Sequence, residues 1–319
     1  MVQRRALGIV APSGFMPERQ MIDRAAEVFA ARGWQVLIGQ SCFARHQRFA
    51  GTDDLRAAEL QRFCCDQSLD LVLAARGGYG LTRILSRLDF GAIAAARPTV
   101  CGYSDFTAFN LAYLARAGGV SLHGPTATDF GTQTPDAWTL ANFFAVLDEA
   151  DYQTEFDADG PRYEASGLLW GGNLALVCAL LGTPYFPRVR GGILFLEDVN
   201  EPAYKIERML LQLEQAGVLG KQKALLLGHF DPVPTQVNDN GFSLTEVIAG
   251  LRKRLRIPVV TGLPFGHVTR KLTLPVGATV RLAVGSTVAR LGWRRPDFGR
   301  AARSMGRVRA GGARAGPAP

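Results

Sequence analysis

The first half of the chain alternates short, continuous apolar segments with segments of helical periodicity, and this alternation constrains its fold most strongly. Apolar runs at Ala6–Ala11, Trp34–Ile38 and Asp70–Ala75 predict strands, and residues 17–32 and 53–67 predict the helices between them. These runs lack the regular polar alternation of a strand with one face in water. We therefore expect a parallel sheet covered by helices on both faces.

The pattern changes near residue 151, where two predicted strands follow each other without a helix. Tyr152–Phe156 and Tyr163–Trp170 flank an acidic turn that contains glycine. We predict an α/β protein with an N-terminal, flavodoxin- or Rossmann-like parallel-sheet domain over residues 1–150 and a C-terminal mixed α/β domain over residues 151–293. Residues 294–319, rich in Arg, Gly, Ala and Pro, are expected to form a disordered basic tail.

The net charge of +8 does not indicate a nucleic-acid-binding protein, because it is concentrated at the C-terminus. Seven arginines and one aspartate lie within residues 291–319, so the rest of the chain is close to neutral. The five cysteines match no zinc-site spacing and are expected to be free thiols in a reducing compartment. Without a signal-peptide pattern or an apolar stretch long enough to span a membrane, the chain is expected to be cytoplasmic.

A serine at a predicted strand-to-helix turn is the first candidate for chemistry. The run Val100-Cys101-Gly102-Tyr103-Ser104-Asp105-Phe106-Thr107 ends a buried strand and opens a helix. Such a turn exposes the serine hydroxyl and the neighbouring N–H groups, as in the G-x-S-x-G nucleophile elbow of hydrolases. Phe106 occupies the position of the second glycine, however. The turn alone therefore also fits a serine that only caps the helix.

A serine nucleophile needs a base and an acid that orients the base, and both types occur at other strand ends. His267 follows Gly266 after a short predicted strand, and Glu197 ends the apolar strand Ile193–Leu196. Glu197 could instead form a buried ion pair with Arg208 or Lys205. Spacing alone does not decide between these two roles.

The other histidines and one glycine-rich turn are further candidates. His46 lies in a basic loop and is expected at the surface, His229 could line a site, and His123 fits a structural role as well as a ligand contact. The third predicted strand runs into Arg76-Gly77-Gly78-Tyr79-Gly80, where glycine allows the backbone to approach a ligand closely. This turn is not G-x-G-x-x-G, so it gives little support for a dinucleotide site.

Several fragments, in order along nearly the whole body, resemble one known family. They are Ala11-Pro12-Ser13-Gly14, Arg76-Gly77-Gly78-Tyr79-Gly80, Cys101-Gly102-Tyr103-Ser104-Asp105-Phe106-Thr107, Gly124-Pro125, Trp170-Gly171-Gly172-Asn173-Leu174, Leu196-Glu197-Asp198-Val199-Asn200-Glu201, Glu207-Arg208-Met209-Leu210, Gly266-His267 and Thr273-Leu274-Pro275-Val276-Gly277-Ala278. In this combination the chain resembles the LD-carboxypeptidases of serine peptidase family S66, the muramoyltetrapeptide carboxypeptidases. The resemblance ends near Leu291 and does not include the basic tail.

The resemblance implies a role for each matching site residue. Ser104 corresponds to the nucleophile, Glu197 to the acid and His267 to the base. The oxyanion hole corresponds to the backbone N–H groups of Gly78 and Asp105. The missing second glycine of the elbow is normal for the family.

The resemblance also implies a substrate and a cellular setting. The substrate is murein tetrapeptide, cut before its terminal D-Ala during peptidoglycan recycling in the cytoplasm. Trp170 and Asn173 are weaker candidates for substrate contact, and core packing also accounts for Trp170. No metal or cofactor is implied, and homodimers are common in the family.

Two alternatives remain at this stage. A peptidase of the microcin-immunity type would cleave an aminoacyl or peptidyl amide on a nucleotide, and it would need an aromatic surface to stack the base. The chain has no long aromatic-bearing insertion between Glu197 and His267 to assign to that task. A non-catalytic, flavodoxin-like ligand binder is the second alternative, and it leaves Glu197 and His267 unexplained.

A fluorophosphonate probe separates an enzyme from a binder. We expect covalent labelling of the wild type and none of Ser104→Ala, because the probe reacts only with an activated serine. Intact-protein mass spectrometry measures the adduct. An unlabelled wild type would favour the ligand-binding alternative.

Overall fold

The computed structural model describes residues 4–297, and its N-terminal part is a sheet with parallel strands, as predicted. Its first five strands are β1 (Ala6–Val10), β2 (Gln35–Ile38), β3 (Leu71–Ala74), β4 (Val100–Cys101) and β5 (Ser121–His123). They are parallel and lie in the spatial order 5-4-3-1-2, which is the flavodoxin-like arrangement. In such a sheet, ligand sites lie beyond the carboxyl ends of the strands.

Helices connect these strands and carry local signals that explain where they begin. They are α1 (Arg19–Ala30), α2 (Asp53–Cys65), α3 (Phe90–Ala96), α4 (Thr107–Ala117), α5 (Ala127–Phe130) and α6 (Ala137–Asp148). The Thr52 hydroxyl accepts the Leu55 N–H at the start of α2, and Asp136 caps α6 in the same way. Gly118, with φ of 62°, ends α4 in the left-handed conformation. Local capping therefore explains the start of α2, the start of α6 and the end of α4.

The second sheet has seven strands and is mixed. It contains β6 (Asp151–Asp157), β7 (Tyr163–Asn173), β8 (Ile193–Glu197), β9 (Ala224–Leu227), β10 (Val259–Thr261), β12 (Thr279–Val284) and β13 (Val288–Arg294). Strands β7 to β10 are parallel, while β6, β12 and β13 pair antiparallel. Its helices are α7 (Leu174–Leu180), α8 (Ala203–Gln215) and α9 (Leu244–Arg254). This mixed α/β part agrees with the predicted fold class.

One strand from the second half of the chain belongs to the first sheet. The segment after residue 271 forms three strands, and the last two, β12 and β13, form a hairpin. Strand β11 (Leu274–Val276) lies between β10 and β12 in the chain. It pairs antiparallel with β5 at the edge of the first sheet. The chain therefore crosses from the second sheet to the first and back.

The two halves also meet directly at the carboxyl end of β7. The Thr107 hydroxyl in α4 accepts the backbone N–H of Asn173 at 3.0 Å. A Cβ atom on Gly172 would lie 2.6 Å from that hydroxyl oxygen and 2.8 Å from Cε1 of His123. The contact is closer than any residue with a side chain would allow, so glycine is required there.

Part of the predicted tail has a defined structure. Arg294, which the sequence analysis assigned to the tail, is the last residue of β13. Asp297 pairs with Arg97 at 3.1 Å. The rest of the predicted disordered tail, residues 298–319, lies outside the described residues. Within residues 4–297, no helix is both long and apolar enough to cross a membrane.

Gly171 provides a test of the sheet geometry. Its φ is 134°, and a Cβ atom there would lie 1.9 Å from the carbonyl oxygen of Phe195 on β8. We expect Gly171→Ala to lower the free energy of unfolding by about 2 to 5 kcal/mol, through backbone strain and overpacking. Urea denaturation measures this change. In the control Gly220→Ala, the added methyl group meets open space; equal stability of the two variants would contradict the described β7–β8 packing.

Candidate active site

Ser104 lies directly beyond β4, on a tight 3₁₀ turn that leads into α4. Its φ is 62°, in the left-handed region that a residue with a side chain rarely adopts. Such a conformation costs about 1 to 3 kcal/mol and persists only where the surroundings impose it. The turn therefore has the strained geometry of a nucleophile elbow, although its second glycine is missing.

Glu197 and His267 come from the second half of the chain, and His267 contacts Ser104. Glu197 is the last residue of β8, and His267 follows β10 on the segment that crosses to the first sheet. His267 Nδ1 is 2.8 Å from Glu197 Oε2, and His267 Nε2 is 3.0 Å from Ser104 Oγ. With the ring proton on Nδ1 donated to the carboxylate, Nε2 is free to accept the serine hydroxyl proton. The structure thus joins the three sequence candidates in one hydrogen-bonded chain.

The alternative prediction, an ion pair of Glu197 with Arg208 or Lys205, is wrong. Its side chain is 1% exposed and bonds to His267, whereas Lys205 pairs with Glu201 at 3.5 Å. Glu197 Oε1 is buried and has no hydrogen-bond partner within residues 4–297. A buried carboxylate with one open oxygen is costly, which fits a group held for function more than a structural ion pair.

The glycine-rich turn after β3 packs against the serine. A Cβ atom on Gly77 would lie 2.7 Å from Ser104 Oγ and 3.4 Å from the backbone nitrogen of Asp105. The carbonyl oxygen of Gly77 accepts the Gly14 N–H at 3.3 Å. Because the carbonyl and the N–H of a trans peptide point in opposite directions, the Gly78 N–H points away from Gly14. Neither Gly78 nor Asp105 donates its backbone N–H to another group of the described chain.

The carboxylate of Asp105 connects three loops at this site, a role that sequence reasoning missed. Oδ2 accepts the Ser13 hydroxyl at 2.6 Å and the Leu81 N–H at 2.9 Å. Burial raises the pKa of this carboxyl group, and the two hydrogen bonds partly oppose that shift. The bonds join the loops after β1 and β3 to the turn that carries Ser104. The fragments around Ser13 and Asp105 contained this signal, but only the fold shows that they meet.

A buried arginine supports the same loops from behind and was not identified from the sequence. Arg56 on α2 has a fully buried side chain and pairs with Asp53. Its Nη1 donates to the carbonyl oxygens of Pro12 at 2.5 Å and Gly80 at 3.0 Å. Arg56 thereby fixes the loop after β1 and the glycine-rich turn, the two segments that meet at Gly14 and Gly78. Its place within a helical pattern gave no sign of this role.

Both candidate substrate contacts are corrected by the structure. Trp170 is completely buried, and its indole N–H donates to the Gln222 side chain at 3.0 Å, so it cannot touch a ligand. Asn173 is 4% exposed, and its side chain caps α7 at Leu176 and donates to Asp198 at 2.9 Å. Its polar atoms are thus committed within the protein. Both side chains support the end of β7 instead of facing a substrate.

The three other histidines lie outside the hydrogen-bonded chain of Ser104, His267 and Glu197. His46 is exposed, and His229 has a side chain that is 42% exposed and lies 3.5 Å from Asp231. His123 is completely buried, where its Nδ1 lies 3.2 Å from the Asn110 amide nitrogen. Burial lowers its pKa to about 3, so it stays neutral. In the part of the chain that the structure describes, no three His, Cys, Asp or Glu residues are grouped to hold a metal ion.

The chain matches two family models, and together these span most of its body. The model of the LD-carboxypeptidase N-terminal domain matches residues 7–124. The model of the LD-carboxypeptidase C-terminal domain matches residues 166–282. The first match contains Ser104 and the glycine-rich turn, and the second contains Glu197 and His267.

Individual proteins are similar over nearly the whole body. A protein of Streptomyces coelicolor named as a carboxypeptidase is 38% identical over 86% of this chain and 89% of its own length. The murein tetrapeptide carboxypeptidase of Pseudomonas aeruginosa is 29% identical over 86% of this chain and 92% of its own. The crystal structure of muramoyltetrapeptide carboxypeptidase from Oxalobacter formigenes is 40% identical, with a TM-score of 0.86 over 91% of this chain and 98% of its own.

A more distant solved structure shares the fold. The microcin C7 self immunity protein MccF, in complex with aspartyl sulfamoyl adenosine, is 21% identical. Its TM-score is 0.84 over 94% of this chain and 98% of its own. This likeness shows a common fold and does not identify a common substrate.

The buried, neutral His123 predicts a pH dependence of stability. Its pKa is about 3 in the folded protein against 6.5 for a free histidine, so the unfolded chain binds the extra proton as the pH falls below 6.5. The associated stability is complete above that pH and is lost as the pH falls towards 3. Between about pH 7 and pH 4, we expect His123 to account for roughly 3 kcal/mol of the fall in the unfolding free energy. The variant His123→Leu should lack this part of the fall.

Urea titrations at several pH values measure this effect. His46→Leu is the matched control because that histidine is exposed. If the unfolding free energy of His123→Leu falls with pH as steeply as that of the wild type, other groups cause the acid sensitivity.

Proposed function

The chain belongs to the LD-carboxypeptidase family of serine-type carboxypeptidases, and on that premise we propose that it removes the terminal D-Ala from murein tetrapeptide through an acyl-enzyme. One observation carries the proposal: the hydrogen-bonded chain from Ser104 through His267 to Glu197, with distances of 3.0 and 2.8 Å. The substrate class, a small murein peptide, is inferred from the names of similar proteins. The acyl-enzyme mechanism is inferred from the geometry of the site.

The proposed reaction begins with proton transfer from Ser104. His267 Nε2 takes the hydroxyl proton as Oγ attacks the carbonyl carbon before the terminal residue. Glu197 holds the ring through Nδ1 and stabilises the imidazolium that forms. His267 then protonates the leaving amine, D-Ala departs, and a water molecule activated by the same histidine hydrolyses the ester on Ser104.

The tetrahedral intermediate needs donors for its oxyanion, and within residues 4–297 two backbone N–H groups near Ser104 have no other acceptor. We assign this role to the N–H groups of Gly78 and Asp105, as the family resemblance implies. The hydrogen bond from Gly14 to the Gly77 carbonyl supports the assignment, because it turns the Gly78 N–H away from the loop after β1. Loss of one such donor costs about 10²- to 10³-fold in rate.

The proposal includes a cellular setting and an assembly state. The reaction is placed in the cytoplasm, on peptides recovered from the cell wall, and the enzyme is proposed to act as a homodimer. Neither a metal ion nor an organic cofactor is needed for the steps above. The support for this setting is the family resemblance.

Hydrolysis of an aminoacyl-nucleotide amide is the rival activity, and its support is the shared fold with MccF. The decisive assay incubates the purified protein separately with murein tetrapeptide and with an aminoacyl-nucleotide amide. We expect release of D-Ala from the first and no cleavage of the second. Cleavage of only the nucleotide amide would replace the proposed function with the rival.

Glu197→Gln tests the proposed role of the acid. The amide keeps the size of the side chain but removes the charge that stabilises the imidazolium, so we expect kcat to fall by about 10³- to 10⁴-fold. Circular dichroism checks that the fold is retained. The control Glu246→Gln changes an exposed carboxylate on α9 and is expected to keep full activity. Full activity of Glu197→Gln would mean that another acid orients His267.

A further inference from the structure

Arg76 is a partly buried cation beside the active site without an acidic partner. It stands at the start of the glycine-rich turn, and its Nη1 donates to the carbonyl oxygen of Phe15 at 3.0 Å. No carboxylate within residues 4–297 forms an ion pair with it. A guanidinium has five N–H donors, and a neutral carbonyl satisfies only one of them. The charge and the remaining donors of Arg76 are therefore available to an anionic ligand.

The position of Arg76 relates it to the reacting atoms. Its Nη2 lies 4.0 Å from the point where a Cβ atom on Gly78 would stand. The guanidinium is therefore next to the residue whose N–H is assigned to the oxyanion hole. An arginine at this position can contact substrate groups that are only a few bonds away from the scissile carbonyl.

Tyr103 lies close to His267 and feels the charge of the guanidinium. The Tyr103 ring centroid is 5.1 Å from that of His267. Burial raises the pKa of the Tyr103 hydroxyl well above its usual value, and the nearby charge of Arg76 opposes this shift. The electrostatic influence of Arg76 thus extends to Tyr103, the residue before Ser104. Because His267 protonates the leaving amine, the leaving residue must lie on the side of Ser104 that faces His267.

The neighbouring cations are less suited to bind an anion at this point. Lys271 has a side chain that is 2% exposed and already pairs with Asp129. Arg48 is exposed and lies over the Tyr79 ring at 5.6 Å, and Arg45 lies over the Phe15 ring at 4.3 Å. Arg76 alone among these combines partial burial, an open charge and contact with the glycine-rich turn.

We propose that Arg76 binds the free α-carboxylate of the substrate's terminal residue and thereby restricts cleavage to the last peptide bond. This inference rests on the proposed carboxypeptidase function. The carboxylate is separated from the scissile carbonyl only by the leaving nitrogen and one Cα atom, so a guanidinium beside Gly78 can reach it. A planar guanidinium also matches a carboxylate with two parallel hydrogen bonds. A peptide that continues beyond the terminal residue presents no charge there and leaves the arginine unpaired.

The test compares murein tetrapeptide with the same peptide ending in D-alaninamide. Formation of the common tripeptide product gives kcat/KM for both substrates. We expect the wild type to prefer the free acid by about 10²-fold, and Arg76→Met to lose that factor on the acid with little change on the amide. Arg76→Lys, which keeps the charge without the fork of donors, is expected to fall between the two.

Two controls separate binding from structural damage. The rate of fluorophosphonate labelling at Ser104 should be the same in Arg76→Met and the wild type, since the probe has no carboxylate. Arg270→Met removes an exposed arginine that lies over the Trp138 ring, and it should behave as the wild type on both substrates.

The possible outcomes are distinct. Equal loss on acid and amide in Arg76→Met, or no loss on either, overturns the assignment of Arg76 while the carboxypeptidase function stands. A wild type that cleaves neither peptide overturns the proposed function and this inference together. Loss confined to the free acid supports the proposal.

Discussion

The two hydrogen bonds of His267 are the interactions on which the site depends, because they join residues from two different sheets. Ser104 follows a strand of the first sheet, whereas Glu197 ends a strand of the second. The distances of 3.0 and 2.8 Å therefore require the sheets to be held in one relative position. The bond between Asn173 and Thr107, and the return of β11 to the first sheet, provide that constraint. Packing of the two sheets is thus a condition for this hydrogen-bonded chain.

Several groups at the site are in energetically unfavourable states, and the rest of the protein must offset their free-energy cost. Ser104 has a left-handed backbone, and one oxygen each of Asp105 and Glu197 is buried without a partner among residues 4–297. Burial also raises the pKa of Asp198, next to Glu197, to about 6. Such features are unfavourable for stability but leave strained and unsatisfied groups ready for a substrate. The extensive apolar cores around both sheets allow them to persist.

The sequence predicted the parts of the structure that depend on local pattern. The N-terminal parallel sheet follows from the apolar runs, and the residues of the hydrogen-bonded chain were identified from strand ends and family resemblance. Strand β11 was missed as a member of the first sheet because three residues carry no information about a partner over a hundred positions away. Arg56 and Asp105 were missed as loop supports because their partners are backbone groups and a serine from other loops. Trp170 was a candidate for substrate contact, and its complete burial instead fits core packing, the other role that the sequence allowed.

The segment that carries His267 is also anchored to the turn that carries Ser104. Lys271, four positions later, donates to the Tyr103 hydroxyl at 3.2 Å and pairs with Asp129 on α5. Tyr103 directly precedes Ser104, and its ring packs near His267. His267, the proposed base, is therefore positioned by the residue next to Ser104, as well as by its own hydrogen bonds. Because catalytic geometry must hold to about 0.5 Å, such a second anchor limits the freedom that a long crossing segment would otherwise have.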